Sequence, residues 1–125
     1  MAILPTRAII ISEKGLFLIN RPDGLETVNV DLKFNFNTFV VLEIDINHVN
    51  KHGRSNLSKA DIAKIVIGIL SGTVLHPSDY KVFGNELCSY FVKTSDFEDK
   101  NYKLVFCICS DKPDTIGIIT LFRTR

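Results

Sequence analysis

Between Ser58 and Leu70 the apolar residues of this chain change period. Ile62, Ile65, Val66, Ile69 and Leu70 recur at helical spacing and form one apolar stripe. Ser58 with Asp61 three residues on approximates a capping box, Asp standing where Glu is usual. Ser71-Gly72 suits the other end of a helix. The pattern predicts a helix over about 58–70. Its stripe must be buried against something, and the flanking segments read as strands. The fold class expected is therefore α+β: an antiparallel sheet packed against one main amphipathic helix, with additional N-terminal strands.

The clearest alternation precedes the helix. Val28, Val30, Leu32, Phe34 and Phe36 alternate with Asn29, Asp31, Lys33, Asn35 and Asn37, which predicts a strand with one wet face. A second strand follows over Phe39–Ile46, where Glu43 and Asp45 share the solvated side. Nearer the N-terminus, Ala8–Ile11 and Leu16–Ile19 read as a hairpin, and Asn20–Gly24 as a turn. Asn47–Asn56 is polar, and its Asn and Gly residues suit a loop. After the helix, His76-Pro77 begins a turn and Gly84-Asn85 makes another. Strands are expected at Glu86–Lys93, Tyr102–Ser110 and Thr115–Phe122, with a charged loop over Thr94–Asn101 and a turn at Asp111–Asp114. With 125 residues, this is one domain over 1–125. Residues 8–46 hold the N-terminal strands, and 47–125 hold the helix and the rest of the sheet.

Charge limits the function classes. Fifteen basic and 14 acidic residues leave a net +1, so a strongly basic nucleic-acid coat is absent and any basic patch must be local. The three cysteines, Cys88, Cys107 and Cys109, fall in strand-like runs with no framework spacing, which points to buried thiols or a reducing compartment. No apolar run reaches membrane-span length and no signal-peptide pattern opens the chain, so a cytoplasmic location without membrane contact is expected.

Candidate chemistry lies in four places. His48-x-x-x-His52 comes first. On a helix this spacing could hold zinc, but no Glu completes a His-Glu-x-x-His motif and His76 is distant, so no metal is assigned. Imidazole titrates near neutrality, so one ring can accept a proton while the other donates, and Lys51 and Arg54 nearby would hold an anionic phosphate. The C-terminal run is second. Strict alternation puts Thr120, Phe122 and Thr124 on one face and Leu121, Arg123 and Arg125 on the other. Third, Tyr90 and Lys93, with Lys103 on the next strand, could line a nucleotide-binding face. Fourth, Cys107-x-Cys109 puts both thiols on one face, which reads as core packing. There is no P-loop, no Gly-x-Gly-x-x-Gly and no Gly-x-Ser-x-Gly, and no cofactor is expected.

From about Asn47 to Arg125 the order of parts is distinctive. His48-Val-Asn-Lys-His52-Gly-Arg54 precedes the capped helix Leu57–Leu70. Then come Asn85–Lys93, Tyr102–Cys109 and a closing strand, Ile118-Ile-Thr-Leu-Phe-Arg-Thr-Arg125. This order resembles the barnase–EndoU–colicin–RelE superfamily of small ribonucleases, in particular its phage-borne and polymorphic-toxin branches. The resemblance covers roughly the last two-thirds of the chain. It implies a metal-independent hydrolase, possessing RNA-binding and toxin character, in which the ribose 2′-hydroxyl attacks the adjacent phosphate and leaves a cyclic phosphate. Carried over, His48 or His52 is the base or acid. Arg54 and Arg123 grip phosphate, and Thr120 or Thr124 orients the substrate, with Lys51, Tyr90 and Lys93 as further binding candidates. The implied partners are RNA, transfer or messenger, and a cognate inhibitor protein. Two alternatives compete: a non-catalytic interaction module of immunity or adaptor type, and an RNA-binding protein without catalysis.

Overall fold

The computed structural model describes residues 25–76, the backbone of 80–84, and residues 87–124. The expected hairpin at 8–19, the turn at 20–24, Pro77, Asn85, Glu86 and Arg125 lie outside the described residues. The chain runs β1 (Leu25–Phe34), β2 (Asn37–Asp45), α1 (Ile46–Gly53), α2 (Lys59–Leu70), β3 (Tyr80–Gly84), β4 (Cys88–Phe97), β5 (Lys100–Cys109) and β6 (Lys112–Arg123). Among the described residues the fold is α+β, dominated by strands, with two helices.

The described strands form one six-stranded sheet in the order β1-β2-β6-β5-β4-β3. β1 and β2 form a hairpin. The chain then passes through both helices to the far edge, and β3 to β6 return antiparallel towards the centre. The last strand therefore arrives beside β2 running parallel to it, Val41–Ile44 against Thr115–Ile118. The sheet is mixed, and the expectation of a wholly antiparallel sheet is corrected at this central pair. Alternation reports which face a residue takes. It carries no information on the direction of the neighbouring strand.

The α2 cap is the one read from its sequence. Ser58 Oγ accepts from Asp61 N–H, and Asp61 accepts from Ser58 N–H. The helix stops at Ser71, and Gly72 takes a positive φ of 74°. Gly72 N–H donates to the Lys33 carbonyl at 2.8 Å, and Asn35 N–H donates to the Thr73 carbonyl at 2.8 Å, so the helix end is tied to the β1–β2 turn. Ile62, Ile65, Val66, Ile69 and Leu70 belong to one buried cluster with Leu32, Phe34, Phe39, Leu104, Phe106, Ile116, Ile118 and Leu121. Burying such side chains contributes about 1.5–3 kcal/mol each.

Several strand boundaries differ from expectation. Asn35 and Phe36 form a tight turn with φ of 53° and 65°, so Phe36 leaves the apolar face and is 93% exposed. The charged stretch 94–101 is not a loop. β4 and β5 pair through it to Phe97↔Lys100, leaving Glu98-Asp99 as the turn. A short turn at Ser110-Asp111 replaces the one expected at Asp111–Asp114. In both hairpins ladder hydrogen bonds outweigh polar composition.

The cysteine reading is corrected as well. Cys88 and Cys109 face each other across β4–β5 and form a disulfide, while Cys107 is buried outside it. The spacing of 21 residues resembles no framework because the hairpin register, not local sequence, brings the two sulfurs together. Glu43 and Asp45 are not merely solvated either. Glu43 accepts an ion pair from Lys112 at 2.9 Å, and Asp45 caps α1. Among the described residues no helix is long and apolar enough to cross a membrane.

Candidate functional site

The segment read as a loop is helix α1, and this changes the geometry of the histidines. Its residues have middling helix propensity, so the ends and the tertiary contacts carry it. Asp45, the last residue of β2, accepts from His48 N–H at 3.3 Å. Lys51 and His52 sit in the last turn, where positive charge complements the exposed carbonyls. Arg54 ends the helix in the left-handed conformation, its N–H on the carbonyls of Asn50 and Lys51. Val49 is fully buried in the core cluster.

Asn50 shapes the link to α2. Its Oδ1 accepts from Leu57 N–H at 2.8 Å and from Ser55 Oγ at 2.9 Å, while its Nδ2 donates to the Leu57 carbonyl at 2.9 Å. Gly53 permits the close approach of the helix to β6. A Cβ there would lie 3.1 Å from the Leu121 carbonyl oxygen and 3.2 Å from Phe122 Cβ.

Strand β6 supplies the other half. Ladder pairing with β2 stops at Ile44↔Ile118, and α1 packs against β6 from there on. Between Val105 and Phe106 of β5 the register shifts: Phe106 faces Ile118, but Val105 faces Thr120, so Ile119 is an extra residue. Such a bulge re-aims the side chains that follow it. Ile116 and Ile118 join the core, and Leu121 does so after the bulge. Thr120 and Phe122 consequently take the opposite side, beside the outer face of α1.

There the parts converge. His48 Nε2 lies 3.3 Å from Thr120 Oγ. The His48 and His52 rings stack at 5.7 Å, 14° from parallel, and the His52 ring lies 5.3 Å from that of Phe122. Thr120 is only 7% exposed, so its hydroxyl serves the imidazole and is poorly placed to be a nucleophile itself. Desolvation lowers the pKa of His48. Asp45 opposes this, and His52 and Lys51 reinforce it. Near neutral pH the His48 ring is thus a neutral acceptor. Among the described residues no group of three or more His, Cys, Asp or Glu is gathered as for a metal ion.

The other sequence-derived residues divide. Lys51 and Arg54 are exposed at the end of α1, next to the histidines in the chain. Thr124 shares the Thr120 side, four residues on, and its side chain hydrogen-bonds Asn101. Arg123 pairs with Tyr102 and shares the side of Leu121, away from the histidines. Tyr90 and Lys93 are both buried and lie on opposite faces, opposite Cys107 and Leu104 respectively, so they do not line one surface. Phe122 and Asp45 belong to the cluster although sequence reading assigned neither. Asp45 was legible as a cap residue three positions before His48, whereas Phe122 carried no signal beyond its alternation with Thr120. Comparison with protein-family models, with curated proteins and with solved structures finds no match for this chain.

Proposed function

We propose that the chain is a metal-independent endoribonuclease centred on His48 and His52. The observation that carries this reading is the stacked pair of imidazoles at 5.7 Å with Thr120 holding one ring at 3.3 Å. With His48 Nε2–H donating to Thr120 Oγ, the Nδ1 lone pair accepts the proton of a ribose 2′-hydroxyl. The 2′ oxygen bonds to phosphorus, the bond to the 5′ oxygen breaks, and His52 protonates that leaving oxygen. The products are a 2′,3′-cyclic phosphate and a 5′-hydroxyl. Lys51 and Arg54 add positive charge beside the rings.

The competing readings draw less support. A non-catalytic interaction module calls for scattered histidines and an apolar patch, whereas the large exposed hydrophobics among the described residues are Phe36 and Val40. An RNA binder without catalysis calls for an open face at Tyr90 and Lys93, and both are buried. The test is cleavage of transfer RNA and of ribosome-bound messenger with EDTA present, with mapping of the 3′ ends. Cyclic phosphate from the wild type and a loss of roughly 10²–10⁴-fold in His48→Ala or His52→Ala are expected. A folded wild type that cleaves neither RNA ends the proposal.

A further inference from the structure

The β5–β6 ladder places one more cation beside the histidine cluster. Lys103 lies directly opposite Phe122, and Val105 directly opposite Thr120. Directly opposed side chains in an antiparallel pair have Cβ atoms about 4.5–5.5 Å apart, and diagonal ones about 7–8 Å, within reach of a lysine. Lys103 is therefore the immediate neighbour of Phe122 and one diagonal step from Thr120. His52 approaches Phe122, and His48 approaches Thr120, from the α1 side. The same two β6 residues are thus flanked by imidazoles on one side and by an ammonium on the other.

Half-burial separates Lys103 from Lys51, Arg54, Lys100 and Arg123, which are all exposed. Among the described residues no ion pair or hydrogen bond holds the Lys103 ammonium. Lys33, Lys59, Lys64 and Lys112 all pair with carboxylates. A partly desolvated charge that no described carboxylate neutralises is suited to receive an anion. Arg123, one residue along from Phe122, alternates to the other side of the sheet with Leu121 and Tyr102.

We propose that Lys103 is the phosphate-binding residue of this site, holding a non-bridging oxygen of an RNA phosphate beside Phe122 and the two histidines, and that Arg123 takes no part. The choice of RNA as the bearer of the phosphate rests on the ribonuclease reading above. The position of the grip rests on the ladder register.

The test is fluorescence anisotropy with a short, labelled single-stranded RNA whose 2′-hydroxyls are methylated, so that it binds without being cut. EDTA is present and salt is varied. Lys103→Met keeps the apolar stem and removes the charge, and Lys103→Gln serves if melting shows that the first variant is unfolded. Either is expected to weaken binding by about ten-fold and to reduce the salt slope by roughly one phosphate contact. Lys103→Arg should restore most of the affinity, and Arg123→Met should stay within about two-fold of wild type. Wild-type binding that is absent, or unchanged in the folded Lys103 variants, overturns the proposal, as does a loss that follows Arg123 instead. Cleavage of unmodified RNA, run in parallel, separates the two ideas. Binding that needs Lys103 without any cleavage sinks the ribonuclease reading and keeps the grip. Cleavage that needs His48 but not Lys103 does the reverse.

Discussion

At the scale of the residue, His48 links the site to stability. Burial lowers its pKa in the folded protein. Above about pH 6.5, the ordinary histidine value, the ring is neutral in both states and contributes no pH dependence. As pH falls through that value, the unfolded chain takes up the proton first, so the folded state loses stability until its own, lower pKa is passed. Thermal midpoints measured from pH 8 down to 5 should therefore fall less in His48→Gln than in wild type below about 6.5. A steeper fall in the variant would contradict the desolvation of the ring. Phe36 offers a second residue-scale test. It occupies a left-handed position in a two-residue turn, where glycine is preferred, and its ring is almost wholly exposed. Phe36→Gly should stabilise the protein by about 1 kcal/mol in urea unfolding, because relief of the left-handed strain exceeds the added chain entropy.

At the scale of the element, the two helices are held by different means. The α2 stripe and its capping box are local, so both were legible in the sequence. Helix α1 was not, because its Asn, His and Gly residues suit loops as readily as helices and just one of its residues, Val49, is fully buried. Asp45 at one end, Arg54 at the other and the packing on β6 supply what propensity lacks. Gly68 illustrates the reverse case, in which propensity misleads. An alanine there would improve the isolated helix by about 1 kcal/mol. Its Cβ, however, would overlap the Phe97 ring, so the ring resting on α2 must move. Gly68→Ala should destabilise by about 1–3 kcal/mol. The same substitution in a Phe97→Ala background should cost less, which a double-mutant cycle measures.

At the scale of the whole molecule, the Cys88–Cys109 bridge and the parallel β2–β6 pair tie together parts that are far apart in the chain. The bridge closes a loop of 21 residues' separation. Reduction under native conditions should lower stability by about 3 kcal/mol, read as a drop in the urea midpoint with dithiothreitol present. An unchanged midpoint would mean that β4 and β5 gain nothing from the link.

Alternation, helical periodicity and capping are local properties, and they determined the strand-rich α+β class and helix α2, while the spacing His48-x-x-x-His52 marked the candidate pair. Facing within the last strand was also legible, since alternation set Thr120 apart from Arg123. Partners were not legible. The extra residue at Ile119 decides that Thr120 turns away from the core that receives Ile118, and the end of β2 at Asp45 decides that α1 lies where a strand could have continued. The first depends on the β5–β6 register, and the second on contacts between distant segments, such as His48 with Thr120 at a separation of 72. Strand order, direction and register arise from burying all the apolar faces at once. No window of sequence holds that information, because the free energy that selects the arrangement belongs to the assembled core.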